Sequence, residues 1–336
     1  MLTVVTGGTG FLGSHLVRTL QEMGVGVRVL LRPGSPASRI PSGVEVQVGD
    51  IRDRETLRGA FAGAAAVFHL AGLTAPWGPR HRYLEINVEG TEAVLDACLA
   101  ARVGRLVHVS SMVVLGIECD RRGLTEEAPY TSTFVSPYEE SKVLAERLVL
   151  ERARAADLPT VIVRPGMGWG PGERVILPGL IRAMASPLFF MVGNGRNTLD
   201  LSYARNVAHA LWLAATRPEG VGRIYNLADG LGVTCREYLR ALAQALGLPI
   251  PRLRLPRGLV QFLMRVALPP EPEPKGMVLR PSQDSLLRLC ALFRDSEPDT
   301  NRIRKELGYV PPVDFATGVA ETAAWLRTRV PADQVQ

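Results

Sequence analysis

Three glycines placed directly after the first apolar segment constrain the fold of this chain more than any other feature of its sequence. Gly7, Gly10 and Gly13 lie three residues apart, between the apolar run 2–5 and an amphipathic pattern that begins at Phe11. In a strand–turn–helix unit, the first glycine permits a tight turn, the second lets the backbone approach a pyrophosphate, and the third lets the helix pack closely on the strand. The N–H groups and the dipole at the start of that helix favour an anion. The motif therefore predicts a dinucleotide-binding turn, with an ordinary tight turn as the alternative.

Short β-branched runs alternate with amphipathic stretches through the first half of the chain. The predicted strands are Leu2–Val5, Val27–Leu31, Val44–Val48, Ala66–Leu70, Arg105–Val109 and Thr160–Val163. The predicted helices between them are Phe11–Met23, Glu55–Phe61, Asn87–Ala101 and Pro137–Ala156. Because the strand runs are almost continuously apolar, we expect strands that are buried on both faces. The pattern predicts the α/β class, with a doubly wound parallel Rossmann sheet between helices.

After residue 165 this alternation ends, which predicts a second, smaller part of the protein. Residues 165–197 are rich in glycine and proline, and residues 249–281 are dense in proline, which favours irregular structure. Later predicted elements are helices at Arg205–Thr216, Arg236–Leu246 and Phe315–Arg327 and a strand at Ile224–Leu227. We expect residues 1–165, joined by about 201–229, to form the dinucleotide-binding domain. Residues 166–200 and 230–330 would then form a mostly helical C-terminal cap that binds the substrate.

Charge and cysteine content argue against several classes of function. The formal net charge is +6, and of the 39 basic residues only Lys142, Lys275 and Lys305 are lysine. Because the arginines are scattered, nucleic acid is not expected as a partner, whereas a phosphorylated small molecule fits a mild positive charge. The four cysteines form no CxxC pair and have no histidine at ligand spacing. This is typical of free thiols in a reducing cytoplasm, and no metal is expected.

Two further patterns bear on targeting. The chain starts directly with a predicted strand, so a signal peptide is not expected. No apolar run reaches the ~18 residues that a membrane-spanning helix needs. The segment 255–268 is apolar and basic, and we expect it to cover a substrate pocket, with peripheral membrane contact as the alternative. The sequence thus predicts a cytoplasmic protein.

Residues after the second and third predicted strands indicate which dinucleotide binds. An NAD site normally has an acidic residue at the end of the second strand, where it accepts a hydrogen bond from the ribose 2′-hydroxyl. Here Arg32 stands in that place, and an arginine suits a 2′-phosphate. Ser35 offers another donor, and Asp50 is placed to accept from the adenine amino group, with a structural turn at the strand end as the alternative role for Asp50. We therefore expect NADP(H) in preference to NAD(H), with a solvated surface role for Arg32 as the alternative.

The segment 136–142 (SPYEESK) predicts a helix start that carries acid/base chemistry. Ser136 is a candidate N-cap and Glu139 its capping-box partner. Tyr138 and Lys142 then lie one turn apart on one helix face. A tyrosine with a pKa of about 10 exchanges protons poorly at neutral pH, and a nearby ammonium group and the helix dipole would lower that pKa. The pair therefore predicts proton transfer to or from an alcohol or ketone oxygen.

A serine pair follows the fifth predicted strand. Ser110 and Ser111 stand at its carboxyl end, where parallel sheets bind their ligands. Ser111 is expected to hydrogen-bond the substrate oxygen and polarise it. The alternative is that both hydroxyls only satisfy the backbone at the strand end.

Together these motifs resemble the extended short-chain dehydrogenase/reductase family over nearly the whole chain. The resemblance rests on TGGTGFLG (6–13), GDIRD (49–53), HLAG (69–72), NVEGT (87–91), VHVSSMVVLG (107–116), SPYEESK (136–142), VRPGMGWGPG (163–172) and DTNRIRKELGYVPP (299–312). It implies that Ser111, Tyr138 and Lys142 form a catalytic triad, and that Lys142 also reaches the nicotinamide ribose. It also implies a homodimer through the helices Asn87–Ala101 and Pro137–Ala156.

The motifs and the resemblance together define the expected cofactor site. Its predicted residues are Gly7, Gly10, Phe11, Leu12, Gly13, Arg32, Asp50, Ile51, Leu70, Ala71, Gly72, Ser110, Tyr138, Lys142, Pro165, Gly166 and Met167.

Within the family, the chain looks most like the 3β-hydroxysteroid dehydrogenase and dihydroflavonol reductase branch, at Trp77-Gly78, 203–210 and 225–230. Dehydratases of the family place an Asp-Glu pair after the active-site hydroxyl residue, whereas Met112-Val113 stands here. Epimerases usually have an asparagine soon after the Arg-Pro of the sixth strand, and this chain does not. The apolar segments 188–191 and 259–268 also suit an apolar substrate better than a sugar nucleotide.

The expected function is therefore that of an NADP(H)-dependent oxidoreductase. It would interconvert a secondary alcohol and a ketone on a fairly apolar small molecule. A nucleotide-sugar 4-epimerase with bound NAD is the alternative within the family. A non-catalytic cofactor-sensing protein is the alternative from another class, although related sensing proteins commonly lack the tyrosine and lysine.

Overall fold

Seven parallel strands form the central sheet of the structure, a computed structural model that describes residues 1–75, 78–117, 120–134, 136–187, 189–250, 253–260 and 294–328. In chain order the strands are β1 (Leu2–Thr6), β2 (Gly26–Leu31), β3 (Glu45–Val48), β4 (Ala66–His69), β5 (Arg105–Val109), β6 (Arg121–Arg122), β7 (Thr160–Pro165), β8 (Met167–Trp169), β9 (Phe190–Val192), β10 (Leu201–Tyr203), β11 (Ile224–Leu227), β12 (Leu253–Leu255) and β13 (Ser296–Glu297). The central sheet has the order β11-β7-β5-β4-β1-β2-β3. The predicted doubly wound Rossmann fold is thus confirmed.

The strand order determines where a ligand can bind. From β1 the chain winds outward through β2 and β3, and it then returns to place β4 on the other side of β1. This reversal is a topological switch point, and open parallel sheets bind ligands in the crevice that it leaves at the carboxyl ends of the strands. The expected site therefore lies beyond the ends of β1 and β4.

Helices cover both faces of the sheet. The helices are α1 (Phe11–Glu22), α2 (Arg54–Phe61), α3 (Arg80–Tyr83), α4 (Gly90–Ala100), α5 (Pro137–Ala155), α6 (Leu177–Ala185), α7 (Ala204–Thr216), α8 (Cys235–Leu246), α9 (Asn301–Leu307) and α10 (Phe315–Arg327). Val5 of β1 belongs to the core that contains α1 and α7, and its neighbour Val4 belongs to the core that contains α2 and α4. Because successive strand side chains point to opposite faces, burial on both sides explains the continuous apolar runs.

The segments after β7 build a second, smaller core. The short strands β8 and β10 pair with each other, as do β9 and β12. Trp169, Tyr238 and Leu242 are among the buried side chains there, between α6, α8 and α10. The sequence did not predict β6, β8, β9, β10, β12 or β13, since each is only two or three residues long. The predicted division into domains stays a prediction.

One predicted boundary is wrong. The helix expected at Asn87–Ala101 starts earlier, because α3 continues into a π-helical turn at Leu84–Glu89 before α4. π-helical turns are rare and often lie at functional sites, and this one carries the buried Asn87. The polar composition of residues 80–89 hid the helical start from a periodicity argument.

Several sequence features fall outside the described residues, namely Trp77, Cys119, Leu188, the segment 261–268 and Cys290. Cys98 and Cys235 are buried free thiols. Among the helices that the structure describes, none combines the length and apolar character needed to cross a membrane.

Candidate active site

A cavity of about 600 Å³ runs along the carboxyl ends of the central strands. All the residues predicted for the cofactor site and the catalytic triad lie at its wall. The wall includes the glycine turn, Arg32, Asp50 and residues 70–72. It also includes Ser111, Tyr138, Lys142 and residues 165–167. The fold therefore brings together, from seven separate chain segments, every residue that the sequence predicted for the cofactor site and the triad.

The glycine turn forms a cradle of bare backbone. A Cβ atom added at Gly7 would lie 2.7 Å from the backbone nitrogen of Ala71, and one added at Gly13 would lie 2.1 Å from the carbonyl oxygen of Gly7. Gly7 also has a φ of +75°, which favours glycine. No side chain caps the start of α1 at Gly10, and the first residues of the helix line the cavity, so its positive end is open to an anion there. This cradle fits the pyrophosphate of a dinucleotide.

Two arginines, Arg32 and Arg52, line the cavity beside Asp50. Arg52 contacts both oxygens of Asp50, with Nε–Oδ1 3.0 Å and Nη2–Oδ2 2.9 Å, and it also pairs with Glu85. The side chain of Arg32 has no salt bridge or hydrogen bond within the part of the chain that the structure describes, and its backbone carbonyl accepts from the Ser35 nitrogen at 3.0 Å. The hydrogen bond from Arg52 lowers the pKa of Asp50, and the positive charge of Arg32 adds a smaller effect in the same direction. Arg32 therefore offers a free guanidinium group to an anionic ligand.

The three predicted catalytic residues converge where β5 meets the start of α5. The predicted N-cap is present, because the hydroxyl of Ser136 accepts a hydrogen bond from the Glu139 backbone nitrogen at 3.2 Å. The Glu139 carboxylate accepts from the Ile117 backbone nitrogen, which ties the helix start to the loop after β5. The Ser111 hydroxyl lies close enough to the Tyr138 phenol to act on its pKa, which it lowers. The Lys142 ammonium donates to the Val109 carbonyl oxygen at 2.9 Å.

Burial determines the protonation states of this group. Packing around Tyr138 raises the pKa of its phenol to about 12, against the opposing effect of the Ser111 hydrogen bond. The sequence predicted a lowered tyrosine pKa, and in this structure it is raised instead, because desolvation outweighs the lowering effect of Ser111. Burial also lowers the pKa of Lys142 to about 8. At neutral pH the tyrosine is a proton donor, and the lysine is mostly cationic.

Beyond the triad, the cavity wall becomes largely apolar and includes one buried ion pair. Met112, Val113, Ile117, Val175 and Ile176 supply apolar surface. Arg121 and Asp200 form the ion pair, with Nη2–Oδ2 3.2 Å and both side chains less than a tenth exposed. Glu173 also lines this end, and its carboxylate accepts hydrogen bonds from backbone nitrogens at the start of α6.

Sequence reasoning gave no role to several residues of the site. Arg121 and Asp200 are far apart in the sequence, and no local pattern pairs them. The side-chain amide of Asn87 makes two hydrogen bonds with the backbone of Leu73. Its oxygen accepts from the Leu73 nitrogen at 2.7 Å, and its nitrogen donates to the Leu73 carbonyl oxygen at 3.1 Å. The same nitrogen also donates to the Ser141 hydroxyl at 2.8 Å. Asn87 thus connects the loop after β4 to α5. Only Arg52 had a sequence signal, two residues after Asp50.

No group of three or more histidine, cysteine, aspartate or glutamate side chains able to hold a metal ion occurs within the described residues.

Comparison with known proteins shows the same architecture and related chemistry. The model of the NAD dependent epimerase/dehydratase family matches residues 3–228. The chain is 33% identical over 327 residues to 4-hydroxy-2-methyl-3-oxo-4-farnesyl-3,4-dihydroquinoline-1-oxide ketoreductase of Stigmatella aurantiaca, covering 95% of each chain. It is 32% identical to a 3 beta-hydroxysteroid dehydrogenase/Delta 5-->4-isomerase of Mycobacterium tuberculosis, covering 92% of this chain and 85% of that one. The structure of MoeE5 with UDP-glucose and NAD superposes on this chain with a TM-score of 0.74 at 26% identity. The superposition covers 98% of this chain and 99% of that one.

Proposed function

Because this chain belongs to the NAD-dependent epimerase/dehydratase family, we propose that it is an NADP(H)-dependent oxidoreductase that interconverts a secondary alcohol and a ketone on a fairly apolar substrate. The observation that carries the proposal is the meeting of Ser111, Tyr138 and Lys142 at the wall of a cavity whose other end is a pyrophosphate cradle. The similarity to a ketoreductase and to a hydroxysteroid dehydrogenase supports this class of reaction.

The reaction can be derived from the protonation states of the side chains. A bound nicotinamide supplies or accepts the hydride. In the direction of ketone reduction, Tyr138 donates its phenolic proton to the substrate oxygen as negative charge develops there. Ser111 donates a hydrogen bond to that oxygen and polarises the carbonyl. The Lys142 ammonium stabilises the phenolate that the proton transfer leaves on Tyr138.

This mechanism predicts a pH dependence. The pKa of Lys142 lies near 8 because of burial, so raising the pH through that value removes the ammonium charge. The phenolate on Tyr138 then loses its stabilisation, and kcat for ketone reduction is expected to fall above about pH 8. A pH profile of kcat at saturating NADPH and ketone checks this. A constant kcat between pH 7 and pH 10 would contradict the role given to Lys142.

The preference for NADP(H) is supported by Arg32. Arg52 and Asp50 form an ion pair at the same end of the cavity, whereas Arg32 has no such partner within the described residues. A guanidinium group can bind a phosphate through two parallel hydrogen bonds. Ser35 lies at the same part of the cavity wall and offers a further donor to the 2′-phosphate.

Replacing Arg32 with alanine is expected to raise the Kd of NADPH by roughly 10- to 100-fold, since a hydrogen bond to a charged group contributes about 1.5–3 kcal/mol. The Kd of NADH should stay within about twofold, because NADH has no 2′-phosphate to lose. Fluorescence titration with both cofactors measures the two values. Arg39→Ala is the matched control, since Arg39 is exposed in the same loop and does not line the cavity. Equal losses for NADPH and NADH would contradict the assignment.

The apolar end of the cavity supports an apolar substrate. In this part of the structure Arg121 is neutralised by Asp200, and the carboxylate of Glu173 lies nearby. The Glu173 carboxylate would repel the diphosphate of a sugar nucleotide, and Arg121, already paired with Asp200, offers that diphosphate no free positive charge. A neutral ketone that bears an apolar ring or chain meets no such repulsion, and it buries apolar surface against Met112, Val113 and Ile117.

A substrate panel tests the proposal as a whole. NADPH oxidation is followed with cyclic, steroid-like, flavonoid-like and long-chain ketones, and epimerisation of UDP-glucose is followed in parallel with NAD. We expect turnover of ketones from the panel and none of UDP-glucose. Epimerisation of UDP-glucose with no turnover of any ketone would instead establish the nucleotide-sugar 4-epimerase. Cofactor binding without any turnover would favour a cofactor-sensing protein.

A further inference from the structure

A carboxylate that the reaction does not use lies beneath the catalytic residues. Glu146 stands on α5 one helical turn after Lys142, and its side chain is completely buried. A buried carboxylate is costly unless its charge is paired and its oxygens are hydrogen-bonded. Its contacts therefore show what the protein gains from placing it there.

The Glu146 carboxylate joins three separate segments of the chain. It forms an ion pair with Arg164 of β7, with Nε–Oε1 3.0 Å and Nη2–Oε1 2.5 Å, and the Arg164 side chain is only 1% exposed. The Ser110 hydroxyl, at the end of β5, donates to Oε2. The Tyr130 hydroxyl, in the loop before α5, donates to Oε1 at 2.9 Å. Both oxygens are thus fully engaged.

Two of these partners are chain neighbours of the catalytic and cofactor-site residues. Ser110 stands between Val109, whose carbonyl accepts from Lys142, and Ser111, which contacts Tyr138. Arg164 directly precedes residues 165–167, which line the cavity. A shift of either strand end would therefore change the distances between the reacting groups.

We propose that Glu146 is a positioning residue, whose buried carboxylate locks the ends of β5 and β7 onto the helix that carries Tyr138 and Lys142. This inference rests on the proposed acid/base role of that pair. Glu146 acts through Ser110 and Arg164, and the wall of the cavity does not include it. Buried ion pairs generally stabilise a fold less than apolar residues of similar volume do. Stability alone therefore does not explain why Glu146 is buried here, whereas a role in positioning the two strand ends does.

The same carboxylate also acts electrostatically on Lys142. Burial lowers the pKa of Lys142, and the negative charge of Glu146 opposes that change. The other titratable groups facing Lys142 are Tyr138 on its own helix, His69 on β4 and His108 on β5. Burial holds the pKa of both imidazoles low, to about 3 for His69, so neither adds a positive charge near neutral pH. Glu146 is thus the group that keeps Lys142 cationic.

The scarcity of lysine makes this effect directly measurable. With lysine at only Lys142, Lys275 and Lys305, selective ¹³C labelling of lysine gives few side-chain NMR signals, and a Lys142→Arg sample identifies the one of interest. In cofactor-free protein, Glu146→Gln is expected to lower the titration midpoint of Lys142 by about one pH unit. The measurement needs no turnover, so it remains valid if no ketone proves to be a substrate.

Turnover supplies the second measurement. Glu146→Gln and Ser110→Ala are each expected to lower kcat by about 10-fold to 100-fold, since small displacements of reacting groups have effects of this size. The KM for NADPH should change by less than about twofold, because the cradle and Arg32 are untouched. Ser110→Ala keeps the ion pair intact, so it tests the positioning role even if Glu146→Gln does not fold.

Glu151→Gln is the matched control, because Glu151 is an exposed glutamate on the same helix. It should leave both the Lys142 midpoint and kcat unchanged. The proposal is overturned if Glu146→Gln folds with an unchanged midpoint, or if Ser110→Ala retains kcat within twofold. A loss of kcat that only parallels a loss of Tm, with no change in the midpoint, would also overturn it, since that result describes a purely structural residue.

Discussion

Replacing Tyr138 with phenylalanine is expected to lower kcat by about 100- to 10,000-fold, the range that a positioned acid/base group contributes. The ring still fills its place in the packing, so the fold and the cavity should be kept. The Kd of NADPH should therefore stay within about threefold of that of the native protein. Steady-state kinetics with an active ketone and a fluorescence titration of NADPH give the two values.

Tyr225→Phe is the matched control for this substitution. The Tyr225 hydroxyl donates to Glu306 at 2.8 Å, on the outermost strand of the sheet, and it does not line the cavity. Its loss should leave kcat unchanged. A Tyr138→Phe protein that turns over ketone at the native rate would remove Tyr138 from the mechanism. A protein that no longer binds NADPH would show instead that the hydroxyl serves cofactor binding.

Replacing Gly13 with alanine is expected to disrupt the glycine turn, because the added methyl group would lie 2.1 Å from the Gly7 carbonyl oxygen and 3.0 Å from the Cα of Gly8. These neighbours are backbone atoms, so the turn or α1 must move. Overpacking of this kind costs about 1–3 kcal/mol. The same movement pulls apart the cradle, in which the Gly10 nitrogen donates to that oxygen at 2.9 Å.

The expected result is a lower Tm and a Kd for NADPH raised by at least about 10-fold. Thermal unfolding and a cofactor titration measure them. Gly59→Ala is the matched control, since Gly59 is exposed within α2 and an added Cβ would meet only Gln47 Nε2, at 3.9 Å. It should raise stability by about 0.5–1 kcal/mol. Unchanged NADPH binding in Gly13→Ala would contradict the assignment of the cradle.

The local features of the site follow directly from the sequence. The spacing of Gly7, Gly10 and Gly13 predicts the turn, and the turn is present with the expected close contacts. The N-cap at Ser136 predicts the start of α5, and hence the shared face of Tyr138 and Lys142. Each of these depends on backbone geometry over a few residues, which the residue types themselves determine.

Contacts between segments that are distant in the chain leave no local pattern in the sequence from which they could be predicted. The buried pairs Arg121–Asp200 and Arg164–Glu146 join residues whose sequence neighbours say nothing about each other. The helical start at Arg80 was also missed, because residues 80–82 are polar and the π-helical turn at Leu84–Glu89 departs from the spacing that a periodicity argument assumes.

The sequence by itself thus determined the Rossmann sheet, the glycine cradle and the Tyr138–Lys142 pair, since strand burial, turn geometry and helix capping are written in short-range patterns. Only the tertiary structure decided the electrostatic state of that pair. The sequence predicted a lowered tyrosine pKa from the adjacent lysine, and burial instead raises the pKa of Tyr138 to about 12 and lowers that of Lys142 to about 8. Desolvation depends on what packs around a group from every side, and for this pair that means β4, β5 and α3, which meet α5 only in the folded chain.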